Sequence, residues 1–185
     1  SSTISMNSAF SPYDDYSAAG GIWARGDAVI IKNSIVARNT AGHRAPDLYT
    51  SRGALAVEYC LIGDNADTDL TEAPVGSPDA NGNLIGGPTH GAIDAVLGPL
   101  ADNGGLTLTL ALLSGSPAIN AGDLLAVAGI GDVPQFDQRG DGFNRVVGGR
   151  IDMGDGLAVE IFIDPYPPTT LHSILDVYVT RDGEP

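Results

Sequence analysis

Asp27 to Val36 and Gly53 to Ile62 superpose residue by residue at an offset of 26: Ala28 falls on Ala54, Val29 on Leu55, Ile31 on Val57, Ser34 on Cys60, Ile35 on Leu61 and Val36 on Ile62. The same offset carries Ile22-Trp23 onto Leu48-Tyr49 and Asn39 onto Asn65. Ser2 to Ala9 fits the frame at an offset of 32, with Ile4 over Val36 and Asn7 over Asn39. The extra residues of that first repeat fall in the loop Phe10 to Ser17. Repeats of this length, made of short β-rich pieces without a helical period, predict an all-β parallel solenoid, in which each residue lies on its equivalent in the next coil. Ile4, Val36 and Ile62 are then expected to form an apolar ladder. Ser2, Ser34 and Cys60 form a ladder of small side chains. Asn7, Asn39 and Asn65 are expected to stack at a corner, where an amide can bond to its copy and to turn backbone. One coil buries too little apolar surface to offset its chain entropy, so several must stack.

After Ile62 the repeat loosens. Gly63 to Asn83 is acidic and rich in turn residues, and Asn83 to Gly87 reads as a fourth coil's short strand. Leu106, Leu108, Leu110 and Leu112 alternate with Thr107, Thr109 and Ala111, the period of a half-buried strand. A second short strand is expected at Ala118-Ile119, after the turn Ser114 to Pro117. Val159 to Ile163 is apolar enough for one more. Asp164 to Pro168 then breaks pairing and sets a domain edge, so residues 1–160 form one domain and 161–185 an edge or linker to a following module.

Charge narrows the partners. The chain carries 23 acidic and 9 basic residues, a net charge of −14, which argues against nucleic acid and against anionic membrane surfaces. No apolar run reaches the ~20 residues of a membrane span. Cys60 is the single cysteine, so no internal disulfide forms, and stacked beneath Ser34 it reads as an inert core thiol. His43, His90 and His172 lack metal-ligand spacing.

Chemistry-bearing candidates are few. Asp64, Asp67 and Asp69 have carboxylates spaced for Ca²⁺, although the mid-loop glycine and distal glutamate of an EF-hand are missing. Tyr13, Asp14, Asp15 and Tyr16 lie in the inserted loop, where tyrosines can stack on sugars. Asp137, Arg139, Arg145, Arg150 and Asp152 are expected to form structural ion pairs among glycine-rich turns. Asp27, Asp47 and Glu58 are read as solvated charges on outer faces.

Several motifs carry a family resemblance. Leu97 to Gly105, Leu110 to Asp123, Asp137 to Gly140 and Asp152 to Gly154 resemble the choice-of-anchor Q domain, and Gly20 to Ile22 with Asn33 to Ala41 are similar to its upstream coils. The resemblance covers about residues 1–160. One departure is that Asp155 to Leu157 intervenes before Ala158-Val159-Glu160, where the family closes with Gly-Ala-x-Glu. The resemblance implies the C-terminal part of a right-handed parallel β-helix in an exported bacterial surface protein, adhesin-like, with a variable anchor and no established catalytic residues. On that reading the segment is structural or adhesive, with carbohydrate or a cell-surface protein as partner. The alternative is a polysaccharide-binding or -cleaving fragment that uses Ca²⁺.

Overall fold

In a computed structural model, the described residues are 1–10, 19–24, 28–42, 44–51 and 53–154. They form an all-β fold without helix. The strands in the first half are β1 (Thr3–Ser5), β2 (Ser8–Ala9), β3 (Ile22–Ala24), β4 (Ala28–Lys32), β5 (Ile35–Ala37), β6 (Thr40–Ala41), β7 (Leu48–Thr50), β8 (Ala54–Glu58), β9 (Leu61–Ile62) and β10 (Leu84–Ile85). All pair in parallel: β1-β5-β9-β10 make one sheet, and β2-β6, β3-β7 and β4-β8 make three short ones.

The repeat frame is the pairing register. Ala28 pairs with Ala54, Ile22 with Leu48, Ile4 with Val36 and Val36 with Ile62. The fourth repeat is shorter, because Leu84 pairs with Leu61 and Ile85 with Ile62. A left-handed residue precedes each of three core strands: Asn33, Tyr59 and Gly82, with φ of 48°, 52° and 75°. It turns the chain into Ser34, Cys60 and Asn83, whose polar groups run between repeats. Ser34 Oγ accepts from Ser2 N at 3.1 Å, and Asn83 Oδ1 accepts from Cys60 N at 2.9 Å. Gly82 has a second constraint, since a Cβ there would lie 2.4 Å from the Tyr59 ring.

The β1-β5-β9-β10 sheet is buried on both faces. Successive side chains of a strand point to opposite sides, so Ile35-Val36, Leu61-Ile62 and Leu84-Ile85 each serve two cores. Val36, Ile62 and Ile85 pack with Leu48, Val57, Cys60 and Ala73. Ile35, Leu61 and Leu84 pack with Ile93, Ala95, Leu97, Leu110, Ala118 and Met153. The second half of the described chain therefore lies against the back of the sheet.

That half pairs in antiparallel fashion, unlike the coil expected from its sequence. Hairpin β11 (Leu97–Ala101) and β12 (Thr109–Leu112) joins Ala101 to Thr109, and β13 (Val146–Val147) pairs with β14 (Arg150–Ile151). The strand expected from Leu106 begins only at Thr109, where β11 supplies a partner. Asn103 Nδ2 closes that end by donating to Thr109 O at 2.8 Å and to Thr109 Oγ1 at 3.0 Å. Leu106 and Leu108 belong to the hairpin loop and are 101% and 51% exposed. Ala118-Ile119 is a turn instead of a strand: Ala118 is buried, and Ser116 Oγ donates to Ala95 O at 2.6 Å. Val159 to Ile163 and the proline-rich edge lie outside the described residues.

Candidate functional site: an acidic groove beside the third repeat

The groove forms where the chain leaves β9. Asp64 N donates to Asp47 Oδ2 at 2.8 Å, which fixes the exit from Gly63. Asp47 is 2% exposed, so its expected place on an outer face is overturned. Its other oxygen accepts from Asn39 N at 3.1 Å and Asn39 Nδ2 at 2.9 Å. Burial pushes its carboxyl up to about 6, against the pull of the Asn39 amides and the Asp64 N–H.

The expected asparagine ladder is thus two rungs long. Asn39 Oδ1 accepts from Asn7 N and Asn7 Nδ2, both at 3.0 Å. Asn65 Nδ2 instead donates within its own loop, to Leu70 O at 2.7 Å. Asp47 makes the link to the next repeat. A signal was present in the sequence: where one repeat has Gly20-Gly21 before Ile22, the next has Pro46-Asp47 before Leu48, an acid at an interior position.

From Asp64 the chain makes tight turns. Asp64 Oδ1 accepts from Ala66 N at 2.9 Å, Thr68 Oγ1 donates to Asn65 O at 2.7 Å, and Asp67 is left-handed with φ 58°. Facing this loop, Gly87 and Gly91 exchange backbone hydrogen bonds at 3.2 and 2.8 Å. The two segments approach so closely at Gly87 that a Cβ there would lie 2.3 Å from Asn65 Oδ1. Between them is an open depression of about 560 Å³, lined by Asp64, Asn65, Asp67, Thr68 and Glu72 on one side and by Gly87, Pro88, Gly91 and Ala92 on the other.

Glu72 ties the walls together. Its carboxylate accepts from Thr89 N at 2.8 Å, His90 N at 2.9 Å and His90 Nδ1 at 2.7 Å. These donors, the Thr89 N–H foremost, hold the carboxyl down to about 2. Glu72 is therefore a fixed anion at neutral pH and does not supply a proton. It orients the His90 ring as an acid orients the base of a nucleophilic triad. Across the groove, Thr68 Oγ1 donates to Asn65 O and accepts from Leu70 N. Glu72 and His90 lie 18 residues apart with nothing in their spacing to join them, which is why the sequence reading did not pair them.

The other candidates separate. Asp64 and Asp67 share this groove, while Asp69 lines a second depression beside β8. Among the described residues no group of three or more His, Cys, Asp or Glu side chains is placed to hold a metal ion. Tyr13, Asp14, Asp15 and Tyr16, like His43, His172 and Asp27, lie outside the described residues. Of the five residues expected in ion pairs, Arg139 and Asp137 form one, with Arg139 Nε donating at 3.1 and 3.0 Å to the two carboxylate oxygens. Phe143 covers the guanidinium at 4.1 Å. Arg150 serves carbonyls, donating to Gly122 O at 2.6 Å and Ala121 O at 3.0 Å. Arg145 Nη2 donates to Gly154 O at 3.0 Å and to the Ser1 hydroxyl. Asp152 Oδ1 caps Asn120 N at 2.6 Å. Burial pushes the Cys60 thiol up to about 11, so it is no nucleophile.

Glu58, the third charge expected on an outer face, pairs with Lys32 at 2.8 Å, both partly exposed. No protein-family model, no curated protein and no solved structure matches this chain.

Proposed function

We propose that this chain is part of a right-handed parallel β-helix that works as a rigid, non-catalytic display scaffold in a large exported bacterial surface protein, in the manner of the choice-of-anchor Q domain it resembles. The observation that carries the reading is the in-register column through four repeats: Ile4, Val36, Ile62 and Ile85 pair successively in parallel, with Ser2 bonded to Ser34 and Cys60 to Asn83 beside them. A column of this kind makes each repeat a template for the next, so the stack is stiff along its axis. Loops between strands are free to vary at its sides, which suits display. The acidic surface, with Lys32 as the single lysine, favours solubility outside nucleic-acid or anionic-membrane contacts.

Incubation with acidic polysaccharides in the presence of Ca²⁺ tests the reading. Unsaturated or reducing-end products would overturn it in favour of a lyase or hydrolase. A protein that yields no product, and whose melting temperature is unmoved by EGTA, behaves as the scaffold requires.

A further inference from the structure

The second depression, about 490 Å³, runs along the outer edge of β8. Among the described residues, β8 is paired on one side only, with β4. Asn33 N donates to Glu58 O at 3.0 Å, so Glu58 turns its peptide groups to β4. In a parallel ladder alternate residues face alternate sides, so Ala54 and Ala56 also face β4 while Leu55 and Val57 face away. The downstream end of that outer edge is already used. Val57 O accepts from Asn83 Nδ2 at 2.8 Å, and Tyr59 N donates to Asn81 O at 3.0 Å. The upstream end, around Leu55, opens into the groove.

The fourth repeat leaves it open for a physical reason. Leu84 pairs with Leu61 at an offset of 23, and the same offset from Leu55 falls on Pro78. Asp79 N, the donor that would meet Leu55 O in that register, donates instead to Asn83 O at 3.1 Å, and Ser77 N donates to Pro74 O at 2.9 Å, so the segment folds into turns and does not continue the β8 pairing. The groove floor is apolar, with Leu55, Val57 and Leu70, and its rim carries the exposed Asp69, beside Glu58, which pairs with Lys32, and Asp79, which accepts from Asn81 N, Asn83 N and Asn83 Nδ2. An unpaired strand edge offers main-chain hydrogen bonds, and the rim selects by charge.

We propose that this groove docks an extended basic peptide, which adds as a strand to the β8 edge left unpaired among the described residues, sets apolar side chains on the Leu55–Leu70 floor and extends a Lys or Arg side chain to the exposed Asp69. Strand addition uses the edge that the turns of residues 74–82 leave vacant. Charge complementarity identifies the partner as basic, because the chain has 23 acidic against 9 basic residues. The proposal concerns a partner for the scaffold and stands independently of whether the protein is exported.

A labelled, end-capped Lys-Val octapeptide, titrated by fluorescence anisotropy against the full chain at low salt, tests this. Saturable binding is expected, with amide shifts confined to Leu55, Ala56 and Leu70. N-methylating alternate peptide nitrogens on one edge is expected to weaken binding by about tenfold or more, since it removes the strand's donors and leaves its charge. Asp69→Asn, a substitution at an exposed side chain, is expected to weaken binding about threefold at low salt and less at high salt. An absence of saturable binding at millimolar peptide would overturn the proposal. So would equal affinity for a Glu-Val octapeptide, indifference to N-methylation, or shifts located elsewhere.

Discussion

Asp47 and Asn39 are joined twice through one oxygen: Asp47 Oδ1 accepts both the main-chain N–H and the side-chain Nδ2–H of Asn39, at 3.1 and 2.9 Å. The second oxygen reaches Asp64 N in the following repeat at 2.8 Å. One buried carboxylate thus satisfies three donors on two neighbouring repeats. Asp47→Ala removes the acceptor and leaves those donors in a dry interior. A loss of roughly 1–3 kcal/mol is expected at pH 7, read from urea unfolding.

The same residue predicts a pH dependence. Its folded carboxyl lies at about 6, above the ordinary 3.8, so the folded state binds the proton more tightly than the unfolded chain. The corresponding stability is present in full below about pH 4 and is lost as pH rises to 6, by at most about 3 kcal/mol. The stability difference between wild type and Asp47→Ala should therefore shrink across that window. Carboxyl ¹³C shifts of Asp47 give the titration directly, and a midpoint near 4 would refute it.

Glu72 behaves in the opposite sense. Its carboxyl is held down to about 2 by Thr89 N–H and the two His90 donors. Its contribution is present above the ordinary glutamate value and is lost as pH falls towards 2. Glu72→Gln should release the wall of the groove locally, with faster amide exchange at Thr89 and His90 and little change in the global melting temperature. Unchanged exchange at both amides would show that Glu72 does not hold the loop.

Two glycines separate backbone strain from steric approach. Gly82 and Gly76 are both left-handed, with φ of 75° and 87°. A Cβ on Gly82 would collide with the Tyr59 ring, while one on Gly76 meets nothing within 4 Å. Gly76→Ala should cost about 1 kcal/mol, the strain alone. Gly82→Ala should cost roughly 2–4 kcal/mol, since Tyr59 must also move. Denaturant midpoints of the pair compare the two effects, and equal losses would remove the steric component.

The back of the sheet supplies a fifth test. Met153 is 1% exposed and packs with Ile35, Leu61 and Leu110, whereas Leu106 is 101% exposed. Met153→Ala should cost about 2–5 kcal/mol. Leu106→Ser should stay within about 0.5 kcal/mol. A large loss for Leu106→Ser would restore the longer strand that its alternation suggested.

Pairing register was legible in the chain, and so were the adjacent apolar residues that put Ile35-Val36, Leu61-Ile62 and Leu84-Ile85 in the sheet. Parallel repeats place like on like, so a local match of residues 26 apart is also a match in space. What lay on the far side of the sheet was not legible in the same way. Ile35 and Leu61 could have faced solvent, a partner or a further layer, and it is the antiparallel β11–β12 hairpin with Ile93, Ala95, Ala118 and Met153 that occupies the place. The leucine alternation from Leu106 misled because a strand needs a neighbour as well as a period, and β11 ends at Ala101.

The groove follows the same division. Its acids Asp64 and Asp67 were visible as carboxylates, but Asp69 left for the β8 edge, and Glu72 joined the groove held by Thr89 and His90 from 17 and 18 residues away. The sequence by itself determined the stacking register, because backbone ladders and side-chain columns repeat the same short-range pattern from one segment to the next. Tertiary structure alone decided which carboxylates are buried, which are held ionised and which share a groove. Those properties depend on desolvation and on donors brought from remote segments, and no local pattern encodes them.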